Sequence, residues 1–247
     1  MINVFVSGVT GKMGKEIVVS LLKDKTFNLL GGSGTKENNK IGKDLGHLLG
    51  LDRIGVNLTS SIEEKKDIDL IIDFSHPNCS LPLVKFVSSS KIPLIIGTTG
   101  FTEHQLEIIS ICAKKIPILL ASNTSPGISF IKRIIDLNSN HLNFFEDIEI
   151  NEIHHKEKKD APSGTAIDLS TALTRAWNKK NKISIFSERK GNNPGEHKII
   201  LRGKGEMVEI KHTSLDRSIF AQGALEAARW IINKSPGLYS MEDIYSS

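Results

Sequence analysis

The first half of the chain alternates short apolar runs with stretches of helical periodicity. Apolar runs of strand length, rich in β-branched residues, predict strands at 2–7, 68–74, 92–96 and 116–120, with a further short run at 27–30. Apolar residues that recur every three or four positions predict helices at 12–22, 81–87 and 103–114. The stretch 31–50 is rich in Gly, Ser, Lys and Asn and is expected to be a loop. Strands that alternate with helices predict βαβ units on a parallel sheet.

The pattern changes after Pro126. A helix is expected at 128–137, and Ile148 and Ile150 alternate with the polar Glu149 and Glu152, which predicts a half-buried strand at 147–153. Another helix is expected from Ala166 to about Trp177, and extended segments at 183–186, 197–201 and 206–213. We therefore predict an α+β domain with a mixed or antiparallel sheet, followed by an Ala-rich helix at 221–232 that returns to the first domain.

A glycine-rich turn follows the first predicted strand and begins the first predicted helix. Glycines allow the backbone to turn tightly and to approach a pyrophosphate, which then meets the N–H groups at the positive end of the helix. The spacing is G-x-x-G-x-x-G, and Thr10 stands where the usual fingerprint has its second glycine. Glycines at such a turn also occur for packing alone. With a strand before and a helix after it, the motif favours dinucleotide binding by Gly8, Val9, Thr10, Gly11, Lys12 and Met13.

The residues about 20 positions further on bear on which nucleotide is bound. A carboxylate at the end of the second strand usually binds the ribose 2′-OH of NAD. Here Thr35 and Lys36 occupy that position, and no carboxylate appears before Glu37. A hydroxyl and a cation accept a 2′-phosphate, so we expect NADPH to be used at least as well as NADH. The alternative is that Lys36 is a solvated loop lysine.

Two further polar segments follow predicted strands. Ligands of open α/β sheets bind at the carboxyl ends of the strands. Small and hydroxyl residues there leave room for a nicotinamide and its ribose, although either segment by itself could be an ordinary turn. The cofactor-binding candidates are Gly97, Thr98 and Thr99 after one strand, and Ala121, Ser122, Asn123 and Thr124 after the next.

Composition narrows the possible partners. The formal net charge of +4 is mild and the basic residues form no large cluster, so no nucleic-acid partner is expected. No apolar run approaches the roughly 20 residues of a membrane span, and the amino terminus shows no secretory leader. Cys79 and Cys112 lie far apart and form no zinc-type spacing. We expect no metal, no membrane association and a cytoplasmic location.

The segment from Glu152 to Ala166 contains the most informative chemistry. His154 and His155 leave a predicted strand, and Lys158 follows within the loop. Imidazole exchanges protons near neutral pH and lysine is a cation or proton donor. Ser163 is a good N-cap for the next helix, so the N–H groups of Gly164 and Thr165 could bind a carboxylate. Packed histidines and solvated lysines are the alternative interpretation.

This segment resembles the signature E-x-H-H-x-x-K-x-D-A-P-S-G-T-A of the dihydrodipicolinate (4-hydroxy-tetrahydrodipicolinate) reductase family at every fixed position. The segments GVTGKMG, IIGTTGF, ASNTSPG and FAQGALEAARW are also similar to that family, in the same order. The resemblance covers nearly the whole chain. It implies a Rossmann-type dinucleotide-binding domain formed by 1–125 with 217–247, and a domain for substrate binding and oligomerisation formed by 126–216.

The resemblance also implies an activity and roles for single residues. The expected reaction is NAD(P)H-dependent reduction of a small cyclic dicarboxylate on the route to diaminopimelate and lysine, by a homotetramer. His154 and Lys158 would be catalytic, His154 as proton donor or acceptor and Lys158 as proton donor. The residues implied in substrate binding are His155, Ser163, Gly164, Thr165 and Arg217. Thr124 departs from the family, which often has an aromatic residue there.

Three other classes of protein are alternatives to this family. An acylating aldehyde dehydrogenase of similar domain order needs a cysteine nucleophile, for which Cys79 at a helix start is the candidate, whereas Cys112 is expected in the core. A short-chain dehydrogenase needs Tyr-x-x-x-Lys, and neither Tyr239 nor Tyr245 has that lysine. A non-catalytic NAD(P)-binding regulator has no need of proton donors, which the segment around His154 supplies.

Overall fold

The computed structural model describes residues 1–62, 67–179 and 182–246. The strands in this part of the chain are β1 (Ile2–Ser7), β2 (Phe27–Ser33), β3 (Leu58–Thr59), β4 (Leu70–Asp73), β5 (Leu94–Ile96), β6 (Pro117–Leu120), β7 (Asp147–His154), β8 (Ser184–Arg189), β9 (Glu196–Gly203), β10 (Glu206–Thr213) and β11 (Gly237–Tyr239). The helices are α1 (Lys12–Lys23), α2 (Leu45–Leu48), α3 (Pro77–Ser90), α4 (Glu103–Ala113), α5 (Pro126–Leu137), α6 (Ser139–Leu142), α7 (Gly164–Ala176), α8 (Ser218–Ile231) and α9 (Met241–Ile244). The chain forms two compact units, Met1–Thr124 with Phe220–Ser247, and Ser125–Ile219.

The first unit is built on a seven-stranded sheet in the order β11-β6-β5-β4-β1-β2-β3. All neighbouring strands are parallel. Successive side chains of β1 pack into different cores, because side chains alternate between the two faces of a strand. Phe5 packs with residues of α3 and α4, and Val4 and Val6 pack with residues of α1 and α8. The predicted parallel sheet is confirmed, and helices cover both of its faces.

The second unit has a four-stranded sheet in the order β10-β9-β7-β8. β7 is parallel to β8 and antiparallel to β9, so the sheet is mixed, as predicted. Its buried face packs on α5 and α7, where Ile148 and Ile150 of β7 meet Ile131 and Leu169. Among the described residues, no helix combines the length and apolar character that a bilayer crossing requires.

The expected loop at 31–50 is wrong at both ends. β2 continues to Ser33, where it pairs with β1 and with the two-residue β3. The short helix α2 forms near the other end because the buried carboxylate of Asp44 accepts the amides of Gly46 and His47 at its start, and also those of Ile54 and Gly55. These amides lower the pKa of Asp44 against the raising effect of its burial. A polar residue that organises a loop leaves no hydrophobic periodicity, so the pattern could not predict this turn.

The other differences concern where elements begin, and short elements that the hydrophobic pattern does not predict. α3 begins at Pro77 rather than at position 81, since proline suits the first helical turn and His76 caps the Asn78 amide. β11 was not predicted because its three residues are too few for a periodic signal. It pairs with β6 at the edge of the sheet.

The turn between β1 and α1 is so close that Gly14 cannot gain a side chain. A Cβ at Gly14 would lie 2.1 Å from the carbonyl oxygen of Gly8. We expect Gly14→Ala to destabilise the protein by about 1–3 kcal/mol through overpacking. In an open helical position the same substitution would stabilise the protein by about 1 kcal/mol. The sign of the change in the free energy of unfolding therefore shows whether the turn is closely packed at Gly14.

Urea denaturation measures this free energy of unfolding. The control is Lys15→Ala at the neighbouring, exposed position of α1, which we expect to stay within about 0.5 kcal/mol of the unmodified protein. A Gly14→Ala protein more stable than the unmodified one would contradict the close packing of this turn.

Candidate active site

A cleft of about 760 Å³ opens in the first unit at the carboxyl ends of β1, β2 and β4. The β1–α1 turn contributes Gly8, Thr10 and Gly11, and the segment after β2 contributes Thr35 and Lys36. This volume lies within the usual range for cofactor sites. Two expected groups of cofactor residues, on the turn and after β2, therefore line one cleft.

Val9 and Met13 also belong to the glycine-rich turn, but their side chains pack in the hydrophobic core. Only their backbone could face a cofactor. Gly11 is the N-cap residue of α1 and provides no side-chain cap, and no acidic side chain stands in the first turn. The start of α1, which includes Lys12, is therefore suited to an anion.

Sequence reasoning missed the contribution of the β4–α3 segment to this cleft. Phe74, Ser75 and His76 follow β4, and further lining residues come from α3 and from the segment after β3: Asn78, Cys79, Pro82, Leu83, Phe86, Ser60, Ser61 and Ile62. The rule that ligands bind at strand carboxyl ends could have found the first three, because Phe74 ends the predicted strand at 68–74 and Ser75 and His76 follow it directly. Cys112, in contrast, is buried in the core as expected.

The residues after β5 and β6 are largely engaged within the protein. Thr98 donates to the buried carboxylate of Asp73 at 3.0 Å and accepts the Ser75 amide at 2.9 Å. Thr124 donates to the Phe220 carbonyl at 2.7 Å. A Cβ on Gly97 would lie 2.1 Å from the ring of Phe74, so glycine is required for that ring to pack there.

The remaining residues of these two segments differ in exposure. Ala121 is buried in the core, Ser122 and Asn123 are half-buried, and Thr99 is exposed. The cleft lining contains none of the residues after β5 and β6 among those the structure describes. Their contact with a cofactor remains a prediction.

In the second unit, the candidate catalytic residues surround the buried carboxylate of Glu152. The sequence pattern assigned Glu152, with Glu149, to the polar face of the strand that alternates with Ile148 and Ile150. For Glu152 this prediction is wrong. Glu152 is 1% exposed, because the two-residue period of β7 puts it on the same face as both isoleucines. His154 lies on that face as well and is also buried.

Both oxygens of Glu152 are hydrogen-bonded. The Ser163 amide donates to Oε1 at 3.0 Å, Arg189 Nη2 donates to the same oxygen at 3.0 Å, and the Ser163 hydroxyl donates to Oε2. Burial alone would raise the pKa of Glu152, but hydrogen bonds from Ser163, Ser187 and Arg189 lower it to about 2. Glu152 is therefore a buried anion at neutral pH.

Two imidazoles face this anion. His154 Nδ1 lies 3.4 Å and His197 Nε2 lies 3.7 Å from Glu152 Oε2, and the two rings meet edge to face with centroids 5.0 Å apart. Burial lowers the pKa of His154 to about 4 and that of His197 to about 3, against the raising effect of the Glu152 charge. Both imidazoles are therefore neutral at pH 7. His197 was not predicted, since it lies 43 residues beyond His154 and reaches the site only through the pairing of β9 with β7.

The ligand atoms of Glu152, His154 and His197 lie within 4.8 Å of one another, a spacing compatible with a metal ion. However, the guanidinium of Arg189 already supplies a positive charge to the carboxylate at 3.0 Å. We therefore interpret this group as a hydrogen-bonded ion network.

The loop after β7 is held in place by backbone hydrogen bonds to the segment after β8. The His155 amide donates to the Asn193 carbonyl at 2.8 Å, and the Lys190 amide donates to the His154 carbonyl at 2.7 Å. The Lys158 amide then donates to the His155 carbonyl at 3.1 Å and closes the turn. These bonds fix the path that leads from His154 to Lys158.

The start of α7 and Lys158 together hold a carboxylate of the chain itself. Lys158 Nζ lies 2.9 Å from Asp160 Oδ2, and the backbone of Gly164 also hydrogen-bonds to the Asp160 side chain. These contacts lower the pKa of Asp160 against the raising effect of its partial burial. Ser163 caps the helix by accepting the Ala166 amide at 3.1 Å, and Thr165 is buried behind it.

Arg217 lies in the bend that precedes α8. It is half-buried, and its neighbour Asp216 accepts the Ser218 amide at 2.7 Å. Its role in substrate binding remains a prediction. The structure brings five of the residues predicted in this unit into one continuous network of polar contacts: His154, His155, Lys158, Ser163 and Gly164.

Comparisons with known proteins identify the family of the chain. Residues 2–124 match the family model for the dihydrodipicolinate reductase N-terminus, and residues 127–245 match the model for its C-terminus. A protein of Pelagibacter ubique (strain HTCC1062) named 4-hydroxy-tetrahydrodipicolinate reductase is 36% identical over 98% of this chain and 97% of its own length. A protein of the same name from Buchnera aphidicola is 33% identical over 99% and 98%.

Solved structures show the same relationship. Dipicolinate-bound dihydrodipicolinate reductase from Paenisporosarcina sp. TG-14 superposes with a TM-score of 0.77 at 25% identity, covering 99% of both chains. An amine dehydrogenase from Mycobacterium smegmatis shares the fold with a TM-score of 0.73, although only 12% of residues are identical. From its two family models and its nearly full-length relatives, the chain belongs to the dihydrodipicolinate reductase family.

Proposed function

We propose that this protein catalyses the NAD(P)H-dependent reduction of 4-hydroxy-tetrahydrodipicolinate to tetrahydrodipicolinate in diaminopimelate and lysine biosynthesis. The relatives at 33% and 36% identity are named 4-hydroxy-tetrahydrodipicolinate reductase, after this reaction. A bound nicotinamide dinucleotide supplies a hydride to C4 of the substrate. The 4-hydroxyl leaves that carbon as water, so each turnover consumes one NAD(P)H and one proton.

The observation that carries this proposal is the carboxylate held by Lys158 and Gly164. The ammonium of Lys158 and the backbone of Gly164 bind the side-chain carboxylate of Asp160. A substrate with two carboxylates presents the same chemical group to the same donors. We propose that one substrate carboxylate replaces Asp160 there, with contributions from His155 and Thr165. Ser163 is itself buried, so its part in substrate binding is to hold the start of α7. Arg217 binds the second carboxylate by bidentate pairing.

The protonation state of the His154 imidazole determines which proton-transfer roles His154 and Lys158 can have. His154 is neutral at pH 7 because burial depresses its pKa to about 4. It can accept or relay a proton, whereas the Lys158 ammonium holds one to donate. We propose that Lys158 gives the proton that leaves with the 4-hydroxyl, and that His154 transfers protons beside it.

The cleft of the first unit suits the cofactor. It combines a glycine-rich turn at the start of α1 with Thr35 and Lys36 at the tip of β2. We propose that the turn binds the pyrophosphate, that Lys36 accepts a 2′-phosphate and that NADPH is used at least as well as NADH. The residues after β5 and β6 would contact the nicotinamide and ribose through their backbone.

The state of assembly and the location of the enzyme are further parts of this proposal. We propose a homotetramer in the cytoplasm. Phe186 on β8 and Met207 on β10, the two edge strands of the sheet in the second unit, are both more than half exposed and are candidates for contacts in that assembly.

Turnover can be measured directly. We expect the purified protein to oxidise NADPH or NADH when freshly generated 4-hydroxy-tetrahydrodipicolinate is present, with one nucleotide consumed per substrate. A non-catalytic nucleotide-binding regulator would bind NADPH without oxidising it. Binding without turnover would therefore refute the proposed reaction.

Replacing the two proton-transferring residues tests the mechanism. We expect His154→Ala and Lys158→Ala each to lower kcat by about 10²-fold or more, the usual scale of general acid–base catalysis. Lys159→Ala is the matched control, because Lys159 is the adjacent, exposed lysine, and it should turn over normally. Near-normal kcat in both variants would remove the catalytic assignment.

The choice of nucleotide depends on Lys36. We expect Lys36→Ala to lower kcat/KM for NADPH by about 10-fold, as loss of a charge-assisted contact of 1.5 kcal/mol or so implies, and to leave kcat/KM for NADH nearly unchanged. The control is Lys43→Ala, an exposed lysine of the same loop. A strong preference of the unmodified enzyme for NADH would contradict this interpretation.

A further inference from the structure

The carboxylate of Glu152 connects two parts of the site that have different tasks. It accepts two hydrogen bonds from Ser163, the residue at which α7 begins. It also faces the imidazole of His154 at 3.4 Å. Glu152 itself is 1% exposed, so a bound substrate has no direct access to it.

The contacts with Ser163 determine where the amides at the start of α7 point. Ser163 is held through both its amide and its hydroxyl, while the hydroxyl also caps Ala166 at 3.1 Å. Gly164 follows directly and hydrogen-bonds to the carboxylate of Asp160. A shift of Glu152 would therefore move the residues that we propose to bind the substrate carboxylate.

The contact with His154 is electrostatic. The Nδ1 atom of His154 is buried and has no hydrogen-bond partner among the described residues, and the 3.4 Å separation from Glu152 is long for a hydrogen bond. The charged groups that face His154 are Glu152 on its own strand, Lys158 and Asp160 on the following loop, and Arg189 on β8. The neutral ring of His197 on β9 covers one edge.

We propose that Glu152 is a positioning residue for the reduction, whose single carboxylate holds both the proton-transferring His154 and the carboxylate-binding start of α7. This inference rests on the proposed function. It assigns Glu152 no contact with substrate or cofactor. Instead, Glu152 couples the strength of substrate binding to the rate of proton transfer, because both depend on the same buried anion.

Removing the charge has a defined effect on His154. The Glu152 carboxylate raises the pKa of His154, whereas Lys158 and Arg189 lower it. In Glu152→Gln the two cations are opposed only by Asp160, so the pKa of His154 falls further below its value of about 4. The limb of the pH–rate profile that belongs to His154 should therefore move to lower pH.

The matched pair of variants is Glu152→Gln and Glu149→Gln. Glu149 lies on the same strand, pairs with Arg202 Nη2 at 2.9 Å across to β9, and faces the opposite side of the sheet. We expect Glu152→Gln to lower kcat by about 10- to 100-fold, as small misplacements of catalytic groups do. We also expect it to raise KM and the Kd for dipicolinate several-fold, while Glu149→Gln leaves all three values unchanged.

The combination of readouts separates positioning from stability. A partly unfolded preparation lowers the apparent kcat by the same factor at every pH. It changes neither KM nor the pH at which the His154 limb of the pH–rate profile lies. That limb is assigned to His154 because it is absent from the profile of His154→Gln. That pattern would overturn the inference. So would kcat, KM and dipicolinate Kd values for Glu152→Gln that equal those of Glu149→Gln.

If Glu152→Gln does not fold, Glu152→Asp decides the question. It keeps the charge but withdraws the carboxylate by one carbon–carbon bond, so that it no longer reaches Ser163 as before. We expect Glu152→Asp to have a lower kcat and a higher KM, with little change in the pH of the His154 limb of the pH–rate profile. A kcat and a KM equal to those of the unmodified enzyme would overturn the inference. An unmodified protein without turnover would instead refute the proposed function, which keeps the two failures distinct.

Discussion

The buried negative charge of Glu152 is the constraint around which the second unit is organised. An ionised carboxylate away from water is costly unless it is paired and hydrogen-bonded. Here the compensation comes from two other elements, since Arg189 is on β8 and Ser163 starts α7, while Glu152 belongs to β7. The charge thus requires these elements to meet at one point, and the candidate catalytic residues His154 and Lys158 follow within six positions.

A second buried carboxylate, in the first unit, shows how different partners change the outcome. Asp73 lies at the end of β4 and accepts hydrogen bonds from Ser75 at 2.5 Å, Thr98 at 3.0 Å and the Ser80 hydroxyl. Its partners are hydroxyl groups rather than a cation and an amide, so burial dominates and raises its pKa. Asp73 connects the segments after β4 and β5, and the segment after β4 lines the cleft that we propose for the cofactor.

The sequence predicted the regular parts of the fold because they depend on periodic burial. The runs at 2–7 and 116–120 became β1 and β6, two interior strands of the parallel sheet. The alternation of Ile148 and Ile150 became the buried face of β7. It failed where polar groups determine the structure. Asp44 organises α2 through backbone amides, and Glu152 occupies a core position that hydrophobicity alone assigns to an apolar residue.

The same distinction applies to the candidate site. Residues close together in the sequence, such as His154, His155, Lys158 and Gly164, could be predicted because loop chemistry and a family resemblance both pointed to one segment. Arg189 and His197 could not, since only the pairing of β8 and β9 with β7 brings them to Glu152. The structure also gives a physical reason for two positions of the signature segment to which the sequence assigned no chemistry. Glu152 contacts both His154 at the end of β7 and Ser163 at the start of α7. Asp160 contacts Lys158 and Gly164, where we propose that a substrate carboxylate binds.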